Sequence, residues 1–127
     1  MGWAWTTFGG IVESLRNGIS VKPDSEQGLA ILKIGAVRPT NLRIEECRHL
    51  EHAPEHDSYR LQAGDLLFTR YNGNPALVGV CAMVPELNET LVYPDKLIRA
   101  HLKPGFDPRF LEIAVYLVSA GSGYRRA

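Results

Sequence analysis

Cys47, His49, His52 and His56, with Glu55 and Asp57 beside them, are the residues whose types and spacing come nearest to chemistry in this chain. Cys and His at short spacings are zinc ligands, but tetrahedral sites usually draw two ligand pairs from separate elements. Here every candidate falls in one short stretch interrupted by Pro54. A solvated loop rich in His and Glu accounts for the pattern, so no metal and no cofactor is expected. A small metalloprotein built on this loop is kept as an alternative. Nucleophilic catalysis would need Cys47 or Cys81 beside a histidine, and Cys81 sits inside the apolar run ALVGVCAMV, where a small core residue is expected. Glu45 and Glu46 are adjacent, which on a strand turns them to opposite faces. Neither a Walker loop nor a GxGxxG or GxSxG motif occurs. The residues therefore point away from an enzyme.

A different chemistry is written at residues 69–75, where Thr69, Arg70, Tyr71, Asn72 and Asn74 fall between two apolar runs. Arginine pairs bidentately with a guanine edge or a phosphate, and asparagine with adenine. Tyrosine bonds to phosphate. A plain hairpin turn would use the same Asn and Gly for backbone reasons alone, and composition does not separate the two readings.

The elements that would position these residues follow from pattern. Leu66 to Arg70 and Ala76 to Val84 are apolar runs around an Asn-Gly turn, which predicts a β-hairpin over about 65–84. Leu29 to Ile34 is of strand length, Leu91 to Tyr93 is a short strand, and Leu97 to Leu102 alternates as a strand should. Pro39 makes residues 36–40 an edge strand or a loop. Residues 41–50 read partly as strand and partly as helix, and residues 51–58 as a surface loop. Ile11 to Leu15 is expected to form a short helical turn near the N-terminus. Asp107 and Pro108 fit the cap and first turn of a C-terminal helix over about 107–120. Phe110, Leu111, Ala114, Leu117 and Val118 would form its apolar stripe, with Gly121 ending it. The fold class is α+β, with a mostly antiparallel sheet.

The 127 residues suffice for one core. The formal net charge is zero, which excludes an indiscriminate polycation. Charge is nonetheless uneven: residues 45–65 carry six acidic side chains against two basic, and residues 96–127 six basic against two acidic. A neutral protein of this kind can turn one positive face toward a polyanion. No apolar run approaches a membrane span and no signal peptide is apparent, so a cytoplasmic protein with reduced thiols is expected, without a membrane partner.

Tyr59-x-Leu61-x-x-Gly64-Asp65-Leu66-Leu67-Phe68-Thr69-Arg70-x-Asn72-Gly73, followed by Leu77-Val78-Gly79, resembles the target recognition domains of type I restriction–modification specificity subunits. Tyr93 to Arg99, Asp107 to Leu111 with Ser119, and Trp3 to Ile11 resemble further segments of that family. The resemblance implies a single non-catalytic domain over 1–127 that binds double-stranded DNA and reads half of a split target. Methyltransferase and restriction subunits would be partners that carry the chemistry. The long spacer helices and the proline-rich segment of the family are missing, which implies a domain truncated at its C-terminus. The alternative that follows is a self-association or protein-interaction module. A motif shared by proteins with different targets encodes scaffold, so Gly64 to Phe68 is expected to be structural. Thr69, at the hairpin tip, is also a candidate DNA contact, while Arg70, Lys96 and Arg99 are expected at phosphates. Arg38, Asn41, Arg43, Tyr71, Asn72 and Asn74 are the candidates for base contacts.

Overall fold

Leu97-Ile98-Arg99-Ala100-His101-Leu102 sends alternate side chains into two different cores, and the fold is arranged around that strand. The computed structural model describes residues 10–20, 27–71 and 74–126, the side chains of 70–79 and 118–126 excepted. The strands are β1 (Val12–Asn17), β2 (Leu29–Leu32), β3 (Val37–Arg38), β4 (Asn41–Leu42), β5 (Cys47–Leu50), β6 (Leu66–Tyr71), β7 (Asn74–Met83), β8 (Leu91–Val92) and β9 (Leu97–Leu102), followed by helix α1 (Pro108–Arg126). Short 3-10 turns cover Ile34–Ala36 and Pro54–Tyr59. The main sheet is antiparallel in the order β1-β9-β6-β7, the smaller sheet is β5-β2-β8, and β3-β4 is a separate hairpin. In the smaller sheet β2 runs antiparallel to β5 and parallel to β8.

Leu67, Ala82 and Leu97 of the main sheet, with Val84 just beyond β7, meet Ala30, Leu32, Leu91 and Tyr93 in the central core, closed at one side by Val37 and Leu42. The outer face of the smaller sheet packs Ile31, Leu50 and Val92 on Ile19. On the opposite face of the main sheet, Leu66, Phe68, Cys81 and Ala100 are covered by Leu111 and Val115 of α1. The result is a helix, a larger sheet and a smaller sheet stacked in that order, which is the α+β class expected.

Strand β1 corrects the helical turn expected over Ile11 to Leu15. Gly10 and Ile11 are helical, but Val12–Asn17 is a strand paired to β9. The pairing slips between Val12 and Ser14, so Val12 lies opposite Leu102 and Leu15 opposite Ala100. Such a bulge puts two apolar residues three apart on one face, a spacing that imitates a helix. The stretch 41–50, whose sequence reads partly as strand and partly as helix, divides into β4, a turn and β5. The loop at 51–58 contains the 3-10 turn, with His56 buried.

Helix α1 begins as expected. Asp107 Oδ1 accepts from the Arg109 N–H at 2.9 Å, and Pro108 opens the first turn. Two expectations fail. The helix continues through Gly121 to Arg126, and the stripe is rotated: Phe110 and Leu117 are 69% and 62% exposed. The cause is Glu112, which is buried because its Oε2 accepts the Met83 N–H of edge strand β7 at 2.7 Å. Satisfying that donor turns Leu111, Glu112 and Val115 to the sheet. Burial and the nearby Glu112 carboxylate push the Cys81 thiol far up from its ordinary range. Because only the thiolate is nucleophilic, alkylation of the native protein at pH 8 is expected to modify half-buried Cys47 and to spare Cys81 until unfolding. Mass mapping of the labelled cysteine checks this.

Candidate nucleic-acid interface

The β6–β7 hairpin extends beyond the rest of the main sheet's pairing. Strand β9 accompanies β6 only from Leu66 to Thr69, where Thr69 lies opposite Leu97. Beyond that point β6 and β7 continue as a pair by themselves, with Arg70 opposite Val78 and Tyr71 opposite Asn74. The register slips twice, so β7 carries extra residues that β6 does not match. Bulges of this kind increase twist and re-aim side chains. At the first slip the Thr69 Oγ1 accepts the Val80 N–H at 2.9 Å, which ties this candidate residue into the hairpin. The backbone positions of Arg70, Tyr71 and Asn74 are on this two-stranded extension. Asn72 lies outside the described residues.

Arg38, Asn41 and Arg43 are brought together by the β3–β4 hairpin. Arg38 and Asn41 are direct cross-strand partners. Pro39 and Thr40 make the turn, Thr40 adopting a φ of 55°, and the Thr40 N–H donates to the Cys81 carbonyl at 3.1 Å. That bond fastens the loop to β7. Glu46 Oε2 lies 3.7 Å from Arg38 Nη2 and 3.8 Å from Arg43 Nη1, so one carboxylate holds both guanidiniums. Arg38 Nε–H also donates to the Gly35 carbonyl at 2.8 Å. All three side chains are exposed.

Lys96 is exposed in the turn that precedes β9, closed by the Leu97 N–H donating to the Pro94 carbonyl at 3.0 Å. Arg99 is half-buried. It donates from Nη1 to the Arg60 carbonyl at 3.3 Å, and its guanidinium lies 5.8 Å from the centre of the Tyr93 ring. Arg16 is its cross-strand partner and stacks 4.1 Å over Tyr59. Tyr59 and Tyr93 meet edge to face at 6.1 Å. Burial raises the Tyr93 hydroxyl above its ordinary range, despite the lowering by Arg99 and Arg16, and it donates to the Arg16 carbonyl at 3.2 Å. Sequence reasoning missed Arg16 and Arg60. Tyr59 and Tyr93 mark the spot, since both belong to the motif segments.

The turn Gln62–Asp65 is scaffold in the sense expected of a shared motif. Asp65 is 1% exposed; its Oδ2 accepts the Gln62 N–H at 2.9 Å, and its Oδ1 accepts from His101 Nδ1–H at 2.7 Å.

The His-rich stretch is dispersed. Cys47 and His49 are on β5. His52 Nε2–H donates to Asp57 at 3.0 Å, and His56 Nδ1 accepts the Ala53 N–H at 3.2 Å. The bond from His52 holds the Asp57 carboxyl below its ordinary range. That exposed pair contributes stability above the usual carboxylate range and loses it as pH falls. Among the described residues no group of three or more His, Cys, Asp and Glu is placed to hold a metal, and no helix is long and apolar enough to cross a membrane.

Fold and site together define a small α+β domain that presents a bulged two-stranded extension between clusters of guanidiniums. No family model matches the chain. It is 46% identical over 109 residues to the type I restriction enzyme EcoKI specificity subunit of Escherichia coli K12, covering 84% of this chain and 24% of that protein. It is also 31% identical over 108 residues to the type I restriction enzyme EcoEI specificity subunit of Escherichia coli, covering 80% of this chain and 18% of that protein. The chain is thus similar, over most of its own length, to one part of type I restriction enzyme specificity subunits, and it spans about a quarter or less of their length.

Proposed function

We propose that the chain is a non-catalytic target recognition domain that reads duplex DNA as one half-site for a type I restriction–modification system. Methyltransferase and restriction subunits in the cytoplasm would carry out the chemistry. The kinship with specificity subunits supplies the class of partner. One structural observation carries the rest: the β6–β7 hairpin runs on past Thr69–Leu97, the last pair it shares with the body. The major groove admits a two-stranded β-ribbon, whose side chains then reach base edges. In this reading Tyr71 and Asn74 on the ribbon, together with Asn72, and Arg38, Asn41 and Arg43 on the adjoining loop, contact bases. Arg70, Lys96 and Arg99 contact phosphates, and Thr69 sets the geometry of the bulge.

Selection of bound duplexes from a random pool, at low and at moderate salt, tests the proposal. Phosphate contacts weaken steeply with salt while base readout keeps its preference. An enriched motif of a few base pairs at both salt concentrations is expected. Asn74→Ala is then expected to relax one position of that motif by ~1–3 kcal/mol, read as the change in affinity ratio between matched and mismatched duplexes. Failure to enrich any sequence would sink the reading.

A further inference from the structure

Arg16 on β1 and Arg99 on β9 are directly opposite one another, and among the described residues neither guanidinium has a carboxylate within ion-pair distance. Like charges placed opposite across a ladder are destabilising. The pair is nevertheless built in with care. Arg16 Nη1–H donates to the Ser58 carbonyl at 3.2 Å and Arg99 Nη1–H to the Arg60 carbonyl at 3.3 Å, so the two clasp the segment that carries Tyr59. Each guanidinium also lies over a tyrosine ring, and the rings touch, giving the order Arg16, Tyr59, Tyr93, Arg99. Arg99 Nε is buried and, among the described residues, has no hydrogen-bond partner. Arg60 stands beside them, 3.8 Å from Asp57. Arg16 also borders an open cleft of about 590 Å³ floored by His56 and Tyr59. Two carboxylates line that cleft: Asp57, which His52 and Arg60 already hold, and Glu55.

The position of the cluster gives it meaning. Asn17 is opposite Ile98, and Thr69 is opposite Leu97. The C-terminal end of β1, the start of β9 and the departure of the hairpin are therefore at one end of the main sheet. A duplex entered by the hairpin must pass its sugar-phosphate backbone close to that end, and guanidiniums fixed by stacking are suited to phosphodiester oxygens.

We propose that Arg16, with Arg60 beside it, is a phosphate anchor for the DNA strand that flanks the ribbon, held in place by the Tyr59 ring and the Ser58 carbonyl. Its role is to fix register without reading sequence. The inference rests on the duplex-reading function above. It adds two contact residues, Arg16 and Arg60, beside the phosphate contact assigned to Arg99.

Affinity for a selected duplex, measured across a salt series for the wild type, Arg16→Gln, Arg16→Lys and Arg60→Gln, tests it. Each phosphate contact contributes ~0.9 to the slope of log K against log salt. Arg16→Gln and Arg60→Gln are expected each to lower the slope by about 1 and to weaken matched and mismatched duplexes by the same factor. Arg16→Lys is expected to keep most of the slope, and melting temperatures show that all variants are folded. An unchanged slope in Arg16→Gln, or an altered base preference, would overturn the anchor while leaving the recognition function standing. A wild-type chain that binds no duplex would remove both.

Discussion

Asp65→Ala is expected to destabilise the protein by about 1.5–3 kcal/mol, the contribution of a hydrogen bond to a charged group, since solvent reaches the Gln62 and His101 donors it leaves behind. Asp65 closes its own turn twice, by the side chain accepting the Gln62 N–H and by the Asp65 N–H donating to the Gln62 carbonyl at 3.0 Å. Its carbonyl then accepts the Val84 N–H at 2.8 Å, and the other carboxylate oxygen takes the His101 proton. The far ring nitrogen of His101 lies 3.6 Å from Glu13. One carboxylate thus links the turn before β6 to β9, with Glu13 of β1 reached through His101. Alanine leaves the Gln62 N–H and the His101 ring without their acceptor. Asp65→Asn keeps one carbonyl oxygen and is expected to lose about half as much. Urea unfolding midpoints for the two variants, compared at equal slope, check the ranking. A loss below about 1 kcal/mol for the alanine would mean that the network is not what holds the turn.

Gly18→Ala is expected to be at least as damaging. A Cβ at Gly18 would meet the carbonyl oxygens of Tyr93 and Pro94 directly. Those oxygens belong to backbone that has little freedom to retreat. The Tyr93 carbonyl accepts the Ile19 N–H at 2.9 Å, the Pro94 carbonyl accepts the Leu97 N–H at 3.0 Å, and the Gly18 N–H itself donates to the Leu97 carbonyl at 3.2 Å. Inserting a methyl group into a rigid core costs about 1–3 kcal/mol and occasionally more; with carbonyls as the neighbours the upper end or beyond is expected. Gly10→Ala is the control, since a Cβ there meets nothing within 4 Å. Equal melting temperatures for the two variants would show that the 93–95 turn yields.

Where the fold was legible in sequence, a local pattern coincided with a local cause. The β6–β7 hairpin showed itself through two apolar runs around Asn-Gly, β9 through strict alternation, and the start of α1 through Asp107-Pro108. Strand β1 was hidden by its bulge, which gave Val12 and Leu15 a helical spacing. The face of α1 was hidden by Glu112, because a buried carboxylate answering a strand N–H runs against the apolar pattern. Pairing of β2 with β8 joins residues 30 and 91, a separation that no periodicity reports. The candidate interface divides in the same way. Arg38 and Asn41 were legible as one loop because they are neighbours in sequence. Arg16, Tyr59, Tyr93 and Arg99 come from separate segments, and only the register of β1 on β9 brings them together.

The two borders of the main sheet differ in kind. Along β7 the Cys81 carbonyl is taken by Thr40 and the Met83 N–H by Glu112, so that border is sealed by a loop and a side chain. Along β1 no second strand is paired among the described residues, and Leu15 is 58% exposed. Around residues 81–83 the β7 border is thus occupied, whereas among the described residues the β1 border has room for a strand. Two copies meeting through β1 would use the same surface on each side and exhaust it, so the association closes at a two-fold dimer. Pairing through β1 is self-limiting in that sense, since it uses up the edge that permits it.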